Sequence, residues 1–167
     1  LDTLFLSATC TRSSKWTTIN RSRGRKTEAK TDKHVEPFWG LWAAFVIVLQ
    51  HAQRDGARVL MELPRGCILW KKNRVTSVLE KYGFNKADFD GRQYNLVAKF
   101  GKENGNPINK PWPIATSCCT LPQHLNKRCA GGHSLPHTRC GGANTKETQC
   151  YTPLIVKMFY KSIVRDN

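Results

Sequence analysis

Two short apolar runs, Leu4-Phe5-Leu6 and Ala57 to Met61, lack the regular apolar–polar alternation of a strand with one wet face. Runs of this kind suit strands buried on both faces, the environment of a parallel sheet. Between them Glu36-Pro37 opens a helical pattern, the longest apolar run of the chain extends from Phe38 to Leu49 with Gly40 inside it, and Asp55-Gly56 supplies a stop. The second strand follows that glycine at once. Strand, loop, helix and strand in this order make a βαβ unit, because a crossover connection is what returns a chain to the same end of a sheet. The expected class is α/β, a partial Rossmann-like unit with a mostly parallel sheet.

The rest of the chain is shorter in its elements. A helix is expected from near Asn73, where Val75, Val78, Leu79 and Tyr82 share one face and Gly83 ends the pattern. Phe89 to Phe100 and Pro111 to Thr116 read as strands joined by the turn-rich Gly101 to Pro107, an antiparallel hairpin that makes the C-terminal part of the sheet mixed. A short helix from Thr120 to Lys127 and a terminal one from Thr152-Pro153 to about Val164 bracket a Cys/His/Gly-rich loop. Residues 1–117 are thus expected to form the Rossmann-like part, with 11–34 a basic loop, and 118–167 the Cys/His-rich loop and terminal helix packed on the same domain. A length of 167 residues, 40% of them hydrophobic, suits one such core. Opening on Leu1 in what reads as a mid-sheet strand, the sequence is expected to be a fragment or truncated copy.

Lys and Arg outnumber Asp and Glu by 27 to 12, a net charge of +15 that favours an anionic partner, nucleic acid first and an acidic membrane surface second. From Arg12 to Lys33 the cations face only Glu28 and Asp32, and few large apolar residues interrupt them, so a mobile basic loop is expected. Within it Arg12, Lys15, Trp16, Arg21, Arg23, Arg25 and Lys26 combine charge with an aromatic ring, as phosphate contact and base stacking require. Trp70-Lys71-Lys72-Arg74 repeats the combination, though a solvated charged face would look the same. The longest apolar run falls short of the ~20 residues of a membrane span, and no signal-peptide series is present. An intracellular protein, nuclear or cytoplasmic, is expected. Seven cysteines cannot all close in pairs, which favours reduced thiols or metal ligands.

Two constellations carry chemistry. Cys10 follows the first apolar run, with Ser14, Trp16 and Asn20 after it, and Glu62-Leu63-Pro64-Arg65-Gly66 follows the second. Parallel strands would set a nucleophile and an acid at their carboxyl ends. The cations beside Cys10 would favour its thiolate, whose unperturbed pKa is ~8.5. A small residue closing a buried strand and a carboxylate capping a turn are the plain structural roles for the same positions. The second constellation, Cys129-x3-His133-x3-His137-x2-Cys140, offers two thiolates and two imidazoles, the ligand types of structural zinc. Its compactness demands a sharply wound loop, in which Cys118, Cys119, His124 or Cys150 could replace one ligand; a metal-free polar loop is the alternative.

The order of these motifs resembles the C5-cytosine DNA methyltransferases, in the divergent form associated with mobile elements of eukaryotic genomes. Thr9-Cys10-Thr11 with Ser14, Trp16 and Asn20 is similar to the family's cysteine motif, and Glu62-Leu63-Pro64 to its carboxylate motif. Asp90-Gly91 with Tyr94, Lys110-Pro111-Trp112, Ile114-Ala115-Thr116-Ser117 and Thr145-Lys146-Glu147-Thr148 to Tyr151 follow in family order, after the Cys/His cluster where the last is concerned. The resemblance implies a Rossmann-type domain acting on DNA, with Cys10 adding to cytosine C6, Glu62 engaging the ring N3 and, only where an upstream half supplies its loop, S-adenosylmethionine as methyl donor. Four features depart from the family. Thr9 replaces its proline, Leu63 replaces a hydrogen-bonding Asn, no Gln-x-Arg-x-Arg motif is evident, and no Gly-rich cofactor loop precedes Cys10. The expectation is a truncated or degenerate copy that binds nucleic acid without turnover by itself. The alternative is a zinc-stabilised nucleic-acid-binding module with no enzymatic activity.

Overall fold

The computed structural model describes residues 3–7, 25–131, 137, 138, 140 and 144–165, with side chains throughout except at 25–35, 146 and 147. In chain order the elements are β1 (Thr3–Ser7), α1 (Arg25–Arg54), β2 (Arg58–Glu62), a 3-10 turn (Ile68–Lys71), α2 (Asn73–Lys81), β3 (Asn85–Asp90), 3-10 turns at Gly91–Tyr94 and Gly101–Glu103, β4 (Pro111–Thr116), α3 (Leu121–His124), α4 (Asn144–Glu147) and α5 (Pro153–Arg165). The four strands form one sheet in the order β1-β2-β4-β3. β1 runs parallel to β2, and β2 antiparallel to β4. The α/β class therefore stands, while the sheet is mixed where a mostly parallel one was expected. The mixed character comes from β4, which runs against β2; no α-helix connects β3 to β4, whereas a parallel return takes a crossover. No helix among the described residues is long and apolar enough to cross a membrane.

The chain forms two compact units, Leu1–Asn85 with Ile114–Cys118, and Lys86–Pro113 with Cys119–Asn167. In the first, Trp42, Phe45 and Leu49 of α1 pack on Val59, Met61 and Leu63, with Cys67, Leu69, Val75 and Ala115 completing the buried cluster. Strand side chains alternate in direction, so Val59, Met61 and Leu63 face α1 while Leu60 and Glu62 take the opposite face. Leu60 is buried as well, the two-sided burial that its unalternating sequence implied. α1 ends as expected: Asp55 N donates to His51 O at 2.9 Å and Ala57 N to Ala52 O at 2.8 Å, around Gly56 at φ 72°. Its beginning differs. The helix starts at Arg25 and carries Pro37 in its interior, so the second half of the expected basic loop is helical. Arg25, Lys26, Glu28, Ala29, Lys30 and Lys33 are strong helix formers, and they carry the helix upstream of a proline whose missing N–H removes one backbone bond.

The second unit is built on aromatic contacts. Phe89 meets Tyr94 at 5.2 Å and Trp112 at 5.9 Å between ring centroids, and Trp112 meets Tyr151 at 5.1 Å. The strand expected from Phe89 to Phe100 is instead Asn85–Asp90, followed by a 3-10 turn. Gly91 explains the break: a Cβ there would lie 2.7 Å from Leu96 Cδ2 and 2.8 Å from Trp112 Cζ3. The turn closes at Asn95, in the left-handed region at φ 64°, a conformation Asn tolerates. β3 and β4 are neighbours in the sheet, and the connection between them closes through a bridge between Val97 and Pro107 and through Ala98 N donating to Asn106 O and Ile108 N to Leu96 O, both at 2.9 Å. α5 keeps its expected limits, with Thr152 Oγ1 accepting from Ile155 N at 3.3 Å and donating to Tyr94 O at 2.6 Å.

Tyr94 gives this unit a pH signature. Its hydroxyl donates to His124 O at 3.1 Å, and burial raises its pKa above the usual 10.0, against a smaller lowering by the Lys127 backbone N–H. The folded chain therefore holds the phenolic proton to higher pH than the unfolded chain. Stability present below the unfolded value is lost as pH rises through the folded one. Urea unfolding at about pH 9 and about pH 11 should show a loss that Tyr94→Phe diminishes; equal losses in both proteins would show that the hydroxyl is not the group responsible.

Candidate functional site

β1 and β2 pair in parallel register from Thr3↔Arg58 to Ser7↔Glu62. Ser7 and Glu62 thus close their strands side by side at the carboxyl end, and Ser7 Oγ donates to Glu62 Oε2 at 3.1 Å. Glu62 is half-buried, and its backbone is also in register with Ile114 of β4. Met61 before it and Leu63 after it are fully buried in the α1-facing core. The chain then turns tightly, with Cys67 N donating to Pro64 O at 2.9 Å and Trp70 Nε1 to the same oxygen at 3.0 Å. The Leu63 position points inward, where an amide would lack water. Cys10 and the basic residues Arg12, Lys15, Trp16, Arg21 and Arg23 lie outside the described residues, and Arg25 and Lys26 enter only through the backbone of α1.

The downstream motif residues serve the second unit's own fold. Asp90 is buried and accepts from Cys129 N at 2.8 Å. Lys110 Nζ lies 4.6 Å from the centroid of the Trp112 ring and donates to Thr148 O. Thr148 Oγ1 donates to Thr145 O at 2.9 Å. In the first unit Thr116 Oγ1 accepts from Cys118 N at 3.0 Å, and Ser117 Oγ from Val59 N at 2.9 Å. Each of these polar groups thus has a structural partner.

Of the Cys/His cluster, Cys129 and His137 come together, Sγ to Nε2 at 3.3 Å. Sequence reasoning missed the third member. Arg92 Nη1 lies 3.5 Å from the Cys129 sulfur and 2.5 Å from His137 Nε2, and Gly131 N is 3.5 Å from the same sulfur. Cys140 instead meets Thr148 Oγ1 at 2.9 Å, and His133 lies outside the described residues. Among the described residues no three Cys, His, Asp or Glu side chains converge as an ion requires. His124 is likewise engaged, with Ser162 Oγ at 2.9 Å and Arg165 Nη1 at 3.4 Å. No spacing rule could have found Arg92, since its contacts span the loop from a separate 3-10 turn.

Around Trp70 the aromatic and the cations separate in role. The ring packs partly buried against the first unit's core and is pinned through its N–H, whereas Lys71, Lys72 and Arg74 are exposed. No family model matches the chain, and neither a curated protein nor a solved structure does.

The inward position of Leu63 has a measurable consequence. Leu63→Asn, which restores the polar residue of the resemblance, should destabilise the protein by about 2–4 kcal/mol in urea unfolding. A change under about 0.5 kcal/mol, the scale of surface substitutions, would mean that the side chain is not in the core.

Proposed function

We propose that the chain is a degenerate C5-cytosine-methyltransferase-like protein of mobile-element type, which binds nucleic acid, DNA in the first place, without methyl transfer of its own. One observation supports this most: Glu62 ends β2 in parallel register with Ser7, and Cys10 is three residues beyond Ser7 in sequence. Three residues of chain reach no further than about 11 Å, which bounds the distance of Cys10 from the end of β1, and the reading takes its thiol to act with the Glu62 carboxylate at the carboxyl ends of the two parallel strands, the end at which open α/β sheets bind ligands.

The chemistry follows from the two side chains. Cytosine C5 is a poor nucleophile until C6 is substituted. The Cys10 thiolate forms an S–C6 bond, the ring electrons move toward N3, and Glu62 supplies the proton or hydrogen bond there. The base must leave the stack to be reached. S-adenosylmethionine is the donor this reading implies, and the family's Gly-rich loop for it would lie before Cys10; no residue of this chain is assigned to it. No step is therefore assigned to the donor, and binding without turnover is the function read for these residues.

Duplex DNA with 2-pyrimidinone at a single cytosine position tests this without any methyl donor, because thiolate addition to C6 of that base forms a lasting adduct. The intact chain should give a denaturation-resistant complex that Cys10→Ser abolishes and Glu62→Gln slows about 100-fold, the lower range for lost acid catalysis. An adduct that survives Cys10→Ser, or none from a chain that binds the duplex, overturns the proposal.

A zinc-stabilised nucleic-acid module is the second reading, favoured by the Cys129–His137 contact. It requires Arg92 to withdraw from both atoms and two further ligands to enter. With Arg92 already bridging them, chelation should leave the thermal midpoint unchanged. One zinc per chain, with unfolding on its removal, would give the second reading precedence.

A further inference from the structure

Between Glu62 and Glu80 the chain carries no carboxylate, and its charged residues there are all cations: Arg65, Lys71, Lys72 and Arg74. All four are exposed. The backbone that carries them is anchored from below, by Leu63, Cys67, Leu69 and Val75, each of which is buried. Backbone bonds lock the turns between these anchors, Cys67 N to Pro64 O at 2.9 Å, Trp70 N to Cys67 O at 3.3 Å and Lys72 N to Leu69 O at 3.1 Å. Arg74 is further oriented by the Trp39 ring, its guanidinium carbon 4.7 Å from the ring centroid. The result is a preorganised cationic ridge that begins three residues beyond Glu62.

We propose that this ridge is a docking surface for the phosphate backbone of nucleic acid, which it seats at the carboxyl end of β2. The proposal rests on the reading of Cys10 and Glu62 above for the need to bring a nucleic acid to that end. The argument for the partner is charge complementarity. A solvated face normally mixes signs, and on a helix opposite charges gain a few tenths of a kcal/mol at three- and four-residue spacing while like charges lose as much. Lys71, Lys72 and Arg74 carry one sign over four consecutive positions on a fixed backbone, with no carboxylate in the sequence from Leu63 to Leu79, a pattern that suits a polyanion. Duplex DNA presents one phosphate charge per ~1.7 Å of axis, dense enough to meet several cations at once, as a single carboxylate is not. Trp70 contributes rigidity and leaves the contact to the cations.

The test compares salt dependence of duplex binding, by fluorescence anisotropy of a labelled DNA, in three proteins. These are the intact chain, Arg65→Gln/Lys71→Gln/Lys72→Gln/Arg74→Gln, and Lys102→Gln/Lys127→Gln/Lys157→Gln/Lys161→Gln, which removes the same charge from exposed positions elsewhere. Every phosphate that a cation no longer neutralises lowers the slope of log K against log salt by about 0.9, so the ridge variant should lose about 3.6 units and the control variant less than one. Equal losses in the two variants, or no duplex binding by the intact chain, overturn the proposal. Should the fourfold variant not fold, Lys71→Gln and Lys72→Gln singly, each expected to lower the slope by about 0.9, decide the matter. Duplex binding that depends on the ridge but yields no Cys10 adduct with 2-pyrimidinone DNA would refute the methyltransferase-like reading and leave the ridge standing. An adduct whose formation is indifferent to the ridge does the reverse.

Discussion

The arrangement at the strand ends depends on the register of β2. That strand is five residues long, paired on one edge with β1 and on the other with β4, and its three central residues are all buried. A slip of one residue would turn Val59, Met61 and Leu63 away from α1 and drive Glu62 beneath the helix. The cost would be large, because an ionised carboxylate without partners is among the most expensive groups to bury. Apolar residues inward and a carboxylate outward therefore hold one register among the alternatives. The meeting of Ser7 with Glu62 is a consequence of that register.

Elements with purely local determinants were legible in the sequence. The stop at Asp55-Gly56, the helix at Asn73, the strand from Pro111 to Thr116 and the capped helix after Thr152 all follow from caps, turns and periodicity within a few residues, and all are present. What could not be read depends on distant partners. The strand expected to continue through Phe100 ends at Asp90 because Gly91 must fit between Leu96 and Trp112, a contact no local pattern reports. Pro37 looked like the first turn of a helix because proline favours that position. The helix formers upstream of it outweigh the single bond it removes, and α1 runs through. The mixed character of the sheet has the same origin, since it turns on how β4 enters beside β2.

The Cys/His cluster shows the limit of counting ligands. Spacing located four residues of the right chemistry, and two of them, Cys129 and His137, do meet. A ligand binds a metal through a lone pair, and an arginine can only donate. Arg92, placed against both the sulfur and the imidazole nitrogen, claims the same lone pairs that an ion would use. Asp90 reinforces the arrangement by accepting from the Cys129 backbone, so the end of β3 holds Cys129 through a carboxylate and the 3-10 turn after it reaches Cys129 and His137 through a guanidinium. A cation is present at this site in the form of a side chain, and a metal would have to compete with it.

The charge of the chain gains meaning from the same parallel pair. A net +15 spread evenly would speak only of solubility. Two of its acid-poor stretches, Arg12 to Lys26 with Glu28 the first carboxylate after them, and Arg65 to Arg74, are the segments that follow β1 and β2. Parallel neighbours deliver the chain to one end of the sheet, whereas antiparallel neighbours would deliver it to opposite ends. The pairing of β1 with β2 thus sets Ser7 and Glu62 at one end of the sheet, so that two acid-poor stretches remote from each other in sequence follow neighbouring strand ends.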